Sequence, residues 1–172
     1  MKATKKLSIS AIMSALGVCI VWLGSLLEVM DLSAVALAGF IIAFAHIELK
    51  GYYPYLIYAS TSILLLVVMP AKLGALMYVL FGGIYPTVKL YAERMIKPLC
   101  LACKGASFVV FIALGALGMY IIGDAFLQQK TVYLVALAAF SFFVLVVYDY
   151  ALTMVINYYV FRLRPKIQKY LK

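Results

Sequence analysis

Apolar residues run along this chain in six long stretches, separated by short polar breaks. The first, about 7–29, follows Lys2, Lys5 and Lys6 and carries Trp22 near its far end. Glu28 and Asp31 then mark a very short turn. The second, about 32–47, is rich in small residues, with Ala34, Ala38, Gly39 and Ala43, which allow helices to approach closely. His46, Glu48, Lys50 and Gly51 break the pattern before the third stretch, about 52–69. Its start is crowded with Tyr52, Tyr53, Tyr55 and Tyr58, the amphipathic rings favoured at a membrane–water boundary. Pro70 ends it, because the residue before a proline is pushed out of the helical region. The fourth stretch, about 73–95, contains Gly82, Gly83, Pro86 and an embedded Lys89. The fifth is about 98–123 and the sixth about 131–161, long enough that it must tilt or project beyond a bilayer. At 1.5 Å rise per residue, about 20 residues cross the roughly 30 Å hydrocarbon core. The pattern predicts an all-α integral membrane protein, a compact bundle of six transmembrane helices.

Composition narrows the class further. Hydrophobic residues make up 67% of the 172 residues and charged residues 12%; the mean hydropathy is +1.10. Soluble domains are about 45–50% apolar and about 25% charged, so water cannot be the solvent for most of this surface. Residues 1–172 are expected to form a single membrane domain in contact with the lipid bilayer. The net charge of +9 would raise nucleic acid for a soluble chain. Here it is read through the positive-inside rule, and no nucleic-acid partner is expected. Six crossings put Lys2, Lys5, Lys6, Lys50, Arg94, Lys97, Lys104, Arg162, Arg164, Lys166, Lys169 and Lys172 on one side. Only Lys72 and Lys130 fall on the other, with Lys89 within a span. Both termini are therefore expected in the cytoplasm of a multi-pass cell-membrane protein. The tail 162–172, with Ile167, Tyr170 and Leu171 among its basic residues, suits an amphipathic end on an anionic leaflet. The N-terminal lysines resemble the start of a secretory signal, but no Ala-x-Ala cleavage pattern follows, so the first stretch is read as an anchor.

Ionisable groups inside a span carry a high cost and need a partner. Lys89 lies about 24 Å along the fourth helix and Asp149 about 27 Å along the sixth, counted from the same side. Their common depth predicts a buried ion pair. Glu93, one turn from Lys89, is the competing partner. Snorkelling to the cytoplasmic interface and a role toward a substrate or proton are the remaining readings. Gly82, Gly83 and Pro86 either kink the fourth helix or let it pack closely, and close packing is the reading preferred here. At the opposite rim Trp22, Glu28, Asp31, Lys72, Tyr78, Tyr120, Asp124 and Gln128 mix charge with aromatic walls, which suits a small polar solute as well as an ordinary wet interface. Ala11 and Ala15 form a small-xxx-small pair fit for close docking of another helix.

Other chemistry finds little support. Cys100 and Cys103 form one C-x-x-C, and His46 adds at most a third ligand where a structural zinc site needs four, so no metal and no cofactor are expected. No H-E-x-x-H, G-x-S-x-G or Walker lysine motif occurs, and the chain is not expected to be an enzyme. ATP-driven movement of a solute would need a separate ATPase chain.

The lysine-led first helix KKLSISAIMSALGVC, with Ala11 and Ala15 at an A-x-x-x-A position, and the stretch DLSAVALAGF from Asp31 to Phe40 resemble the substrate-binding S components of energy-coupling factor importers. Length, span count and terminus placement agree along the whole chain. The resemblance implies a six-helix bundle in the bacterial plasma membrane that captures a vitamin or other micronutrient near its outer face. It also implies docking through Ala11 and Ala15 onto a transmembrane coupling subunit driven by two ATPases. The turn at Glu28 to Asp31 is shorter than the loop that covers substrate in many S components. Bacterial rod-shape membrane proteins are also similar in size and span count. They imply a non-transporting scaffold.

Overall fold

The structure, a computed structural model, describes residues 3–27, 30–49, 51–70, 72–93, 97–122 and 131–164. Within these it describes all side chains except those of 73, 97–99, 101, 115–122, 131–138 and 163. The described chain is all-helical. α1 is Ala3–Leu26, α2 is Asp31–Glu48 and α3 is Tyr53–Val68. The fourth rod is broken: α4, Lys72–Met77, runs into a π-helical turn, Tyr78–Gly82, and resumes as α5, Tyr85–Ala92. α6 is Lys97–Ile122 and α7 is Thr131–Tyr158, which ends in a second π-helical turn, Tyr159–Leu163.

Four stretches are long and apolar enough to cross a membrane: Ala3–Leu26, Asp31–Glu48, Gly74–Ala92 and Ala139–Arg162. Tyr53–Val68 and Ala102–Leu114 are apolar but shorter. Large apolar side chains face outward on every long rod, among them Ile12, Leu37, Ile63, Val109, Phe143 and Phe161. Such a surface is stable against hydrocarbon and not against water. The chain is a multi-pass helical membrane protein.

Small residues set the packing of the first half. α1 turns Ser10, Ser14, Gly17, Val21 and Gly24 inward, a seam alternating every three and four residues. This narrow ridge lets α2 and α3 lie close against it. The Ser14 and Ser60 hydroxyls meet at 2.8 Å between α1 and α3. α2 is the central helix: it packs on α1, α3, the broken rod and α7. Its buried stripe Ala34, Val35, Ala38, Gly39, Ile42, Ala43 and Ala45 is wide enough to serve all of them. Gly51, at φ +74, takes a left-handed conformation that a side chain would strain, and so turns α2 into α3.

One end of the bundle gathers the charges. Lys6 lies over the Tyr53 ring at 5.5 Å, His46 bonds Thr87 at 2.8 Å, and Arg164 meets Glu48 at 3.3 Å. The start of α1, the turn between α2 and α3, the end of α5 and the end of α7 therefore share this end. Asp31 and Lys72 mark the opposite one.

Candidate functional site

The fourth rod carries the features of most chemical interest, and its break has a local cause. Pro86 has no N–H to offer, and its ring crowds the carbonyl one turn back, at Gly82. The ladder widens just before that point: the Gly83 N–H donates to the Tyr78 carbonyl at 2.8 Å, a five-residue step. The Tyr58 hydroxyl, from α3, donates to the Val79 carbonyl at 2.9 Å within the turn. The glycines are there for space as well. A Cβ on Gly82 would run into the Val35 side chain, and one on Gly39 would run into the Tyr148 hydroxyl and the Gly82 carbonyl. A π-helical interruption and close packing thus coexist on this rod, where the sequence offers a kink and close packing as alternatives.

Toward the Lys72 end, the residues assigned to a solute site are spread out. Trp22 is partly exposed near the end of α1. Asp31 opens α2, with one carboxylate oxygen buried near Gly74 and lacking a hydrogen-bond partner among the described residues. The Lys72 ammonium donates to the Leu66 carbonyl at 2.7 Å and the Met69 carbonyl at 2.8 Å. It therefore caps the end of α3, as a cation at a helix C-terminus does. Tyr78 is 1% exposed, packed with Val21, Val35, Ala38 and Leu65. It forms part of the core and does not open on a rim. Glu28, Asp124 and Gln128 lie outside the described residues, and Tyr120 lies on α6 with its side chain outside them.

Toward the other end, charge organises the packing. Lys89 is 0% exposed. Its ammonium donates to the Asp149 carboxylate, to the Asp149 backbone carbonyl at 2.7 Å and to the Thr153 hydroxyl at 2.6 Å. Glu93 stands at 3.4 Å. All three N–H groups of the lysine have acceptors. Asp149 is the hub. The oxygen that meets Lys89 also accepts from the Tyr85 hydroxyl at 2.6 Å, and its other oxygen accepts from Lys104 at 3.0 Å. Lys104 reaches Glu93 at 3.4 Å. Two lysines and two carboxylates thus form a neutral network that ties α5, α6 and α7 together. Thr153 accepts from Lys89 while donating to the Asp149 carbonyl at 2.9 Å, so its single hydroxyl closes the loop.

Lys104, Tyr85 and Thr153 are the members that sequence reasoning misses. Tyr85 and Thr153 sit one helical turn from Lys89 and Asp149, and that spacing is a signal that finds them. Lys104 reads as an interfacial residue because it lies in a basic run. Its inward reach depends on how α6 is rotated.

Ala11 and Ala15 are exposed on α1, beside the exposed Ile12 and Leu16 and roughly a third of a turn round from the inward serine and glycine seam. Cys100 and Cys103 are free and half-buried on α6. No group of three or more His, Cys, Asp or Glu able to hold a metal occurs among the described residues. A cavity of about 360 Å³ lies between α6 and α7, lined by Lys104, Gly105, Phe108, Phe142, Val146 and Asp149. Comparison of the chain with protein-family models, with curated proteins and with solved structures gives no match.

Proposed function

We propose that this chain is a non-catalytic membrane subunit that docks on a larger membrane protein through α1, and that it serves as the substrate-capture component of an energy-coupling-factor-type importer. The carrying observation is the outward position of Ala11 and Ala15. The inner contacts of α1 are already made by Ser10, Ser14, Gly17, Val21 and Gly24, so the two alanines leave a shallow strip on which a second helix can approach closely. Partners of that kind are a transmembrane coupling subunit and its ATPases, with a vitamin-like solute held toward the Lys72 end. In this reading the basic end, with both chain termini, faces the cytoplasm of a bacterial cell.

A specific observation favours a second reading. Tyr78 is sealed in the core, and Lys72 is spent on capping α3. A scaffold that docks through the same strip without carrying a solute needs nothing more. Purification of the full chain from its native membrane in mild detergent separates the two. The importer reading expects a coupling subunit and ATPases to co-purify with the wild type, together with an extractable small molecule. It expects the coupling subunit and ATPases to be lost from A11L/A15L, while the variant stays in the membrane and keeps the small molecule. A membrane partner without ATPases or small molecule selects the scaffold, and a partner unaffected by A11L/A15L overturns docking through α1.

A further inference from the structure

The chain has six acidic residues: Glu28, Asp31, Glu48, Glu93, Asp124 and Asp149. Glu48, Glu93 and Asp149 lie toward the basic end of the bundle, and each is already matched. Arg164 takes Glu48, while Lys89 and Lys104 share Glu93 and Asp149. What remains at this end is cationic. Lys5 is exposed, Lys6 lies over the Tyr53 ring and Arg162 over the Tyr158 ring. None of the three meets a carboxylate among the described ion pairs. Toward the other end, backbone carbonyls hold the Lys72 ammonium.

Arg162 and Arg164 show the contrast within one turn. Both stand at the π-helical end of α7, two residues apart. Arg164 reaches Glu48 at 3.3 Å, and its charge is cancelled. Arg162 is exposed, with its guanidinium carbon 5.9 Å from the centre of the Tyr158 ring. A ring face attracts the cation without neutralising it. No acidic residue occurs from Tyr150 to Lys172 to supply a counter-charge. The guanidinium therefore keeps a fork of N–H donors suited to two phosphate oxygens at once.

An apolar ridge leads back from this arginine. Tyr158, Met154 and Tyr150 follow at four-residue steps along one face of α7, each more than half exposed. From Tyr150 to Tyr158 the rise is about 12 Å, within the roughly 15 Å of hydrocarbon in one leaflet. Arg162 closes the membrane-spanning stretch Ala139–Arg162, so it stands at the lipid–water boundary. Cation above and apolar ridge below have the order of head and tail in a lipid of that leaflet.

We propose that the end of α7 binds an anionic phospholipid of the surrounding bilayer. Its phosphate accepts N–H groups of Arg162, and one acyl chain lies along Tyr158, Met154 and Tyr150. The unmatched positive charge at this end selects an anionic head over a zwitterionic one, which brings a second cation beside Arg162, Lys5 and Lys6.

A local tryptophan reporter tests this. The chain has one tryptophan, so W22F/Y158W carries its sole indole on the ridge below Arg162 and keeps an aromatic face for the guanidinium. It is reconstituted in vesicles of phosphatidylglycerol and phosphatidylcholine, with brominated acyl chains on one lipid at a time. Quenching should show phosphatidylglycerol enriched about fivefold beside the reporter, equivalent to about 1 kcal/mol for one basic residue near a lipid surface. Adding R162Q should return the local composition to that of the bulk. No enrichment in W22F/Y158W, or enrichment that survives R162Q, overturns the proposal. In the wild type, Trp22 lies toward the opposite end and should report the bulk composition; equal enrichment there overturns the assignment to the basic end. Photocrosslinking of the unaltered protein with a phosphatidylglycerol carrying a diazirine on its acyl chain depends on no variant. Label between Tyr150 and Phe161 supports the site, and its absence from that stretch overturns it.

Discussion

On the Lys72 side of its π turn, the fourth rod is held by shape; on the Ala92 side, it is held by charge. The first side rests on contacts around Gly82 and Gly83, on the sealed Tyr78 and on the Tyr58 hydroxyl. Its one charged group, Lys72, caps α3 through the Leu66 and Met69 carbonyls and meets no carboxylate among the described ion pairs. The second side concentrates its interactions on Asp149, which takes two lysines and a tyrosine from two other rods. The lesson is one of failure modes. A shape-packed interface loses energy in proportion to the atoms that clash or vanish. An ionic hub in a low-dielectric interior loses most when one partner goes and the opposite charge is stranded.

The charged side therefore carries the largest predicted effect. Asp149→Leu takes from the wholly buried Lys89 ammonium its closest carboxylate, leaving only the more exposed Glu93 at 3.4 Å, and should destabilise the protein by about 3–5 kcal/mol in an unfolding titration. Lys89→Met should cost less, because Asp149 still holds Lys104 and Tyr85. The double variant should recover much of the Asp149→Leu loss. Losses that simply add would dissolve the hub and, with it, the contrast between the two sides.

The shape-packed side should respond next. Gly82→Ala drives a methyl group into Val35, and overpacking of this kind costs about 1–3 kcal/mol. An unchanged unfolding midpoint would mean that α2 and the broken rod are not in such close contact. The smallest effect belongs to Tyr58→Phe, which deletes the hydrogen bond to Val79 and should cost about 1 kcal/mol. A loss as large as that of Asp149→Leu would show that the π turn depends on one hydroxyl, and the two sides would no longer differ in kind.

Heights were legible in the sequence. Counting 1.5 Å per residue places Lys89 and Asp149 at one level, and the structure has their side chains in contact. The punctuation was legible in part: Gly51 marks a turn by its backbone chemistry, whereas around Pro86 the sequence favours close packing over a kink and the structure has close packing together with a π-helical interruption. Rotation about each rod was not. Tyr78 reads as a rim residue and lies in the core, while Lys104 reads as interfacial and reaches Asp149.

The sequence by itself determined that this is a membrane protein of helical rods, where most rods begin and end, and which polar residues share a depth. Only the tertiary structure decided which face of each rod meets protein and which meets lipid. The reason is that the surrounding hydrocarbon is as apolar as the bundle's interior, so hydrophobicity does not distinguish inside from outside. Ser10 and Ser14 turn inward and Ala11 and Ala15 outward on the same helix, a choice made by packing against α2 and α3.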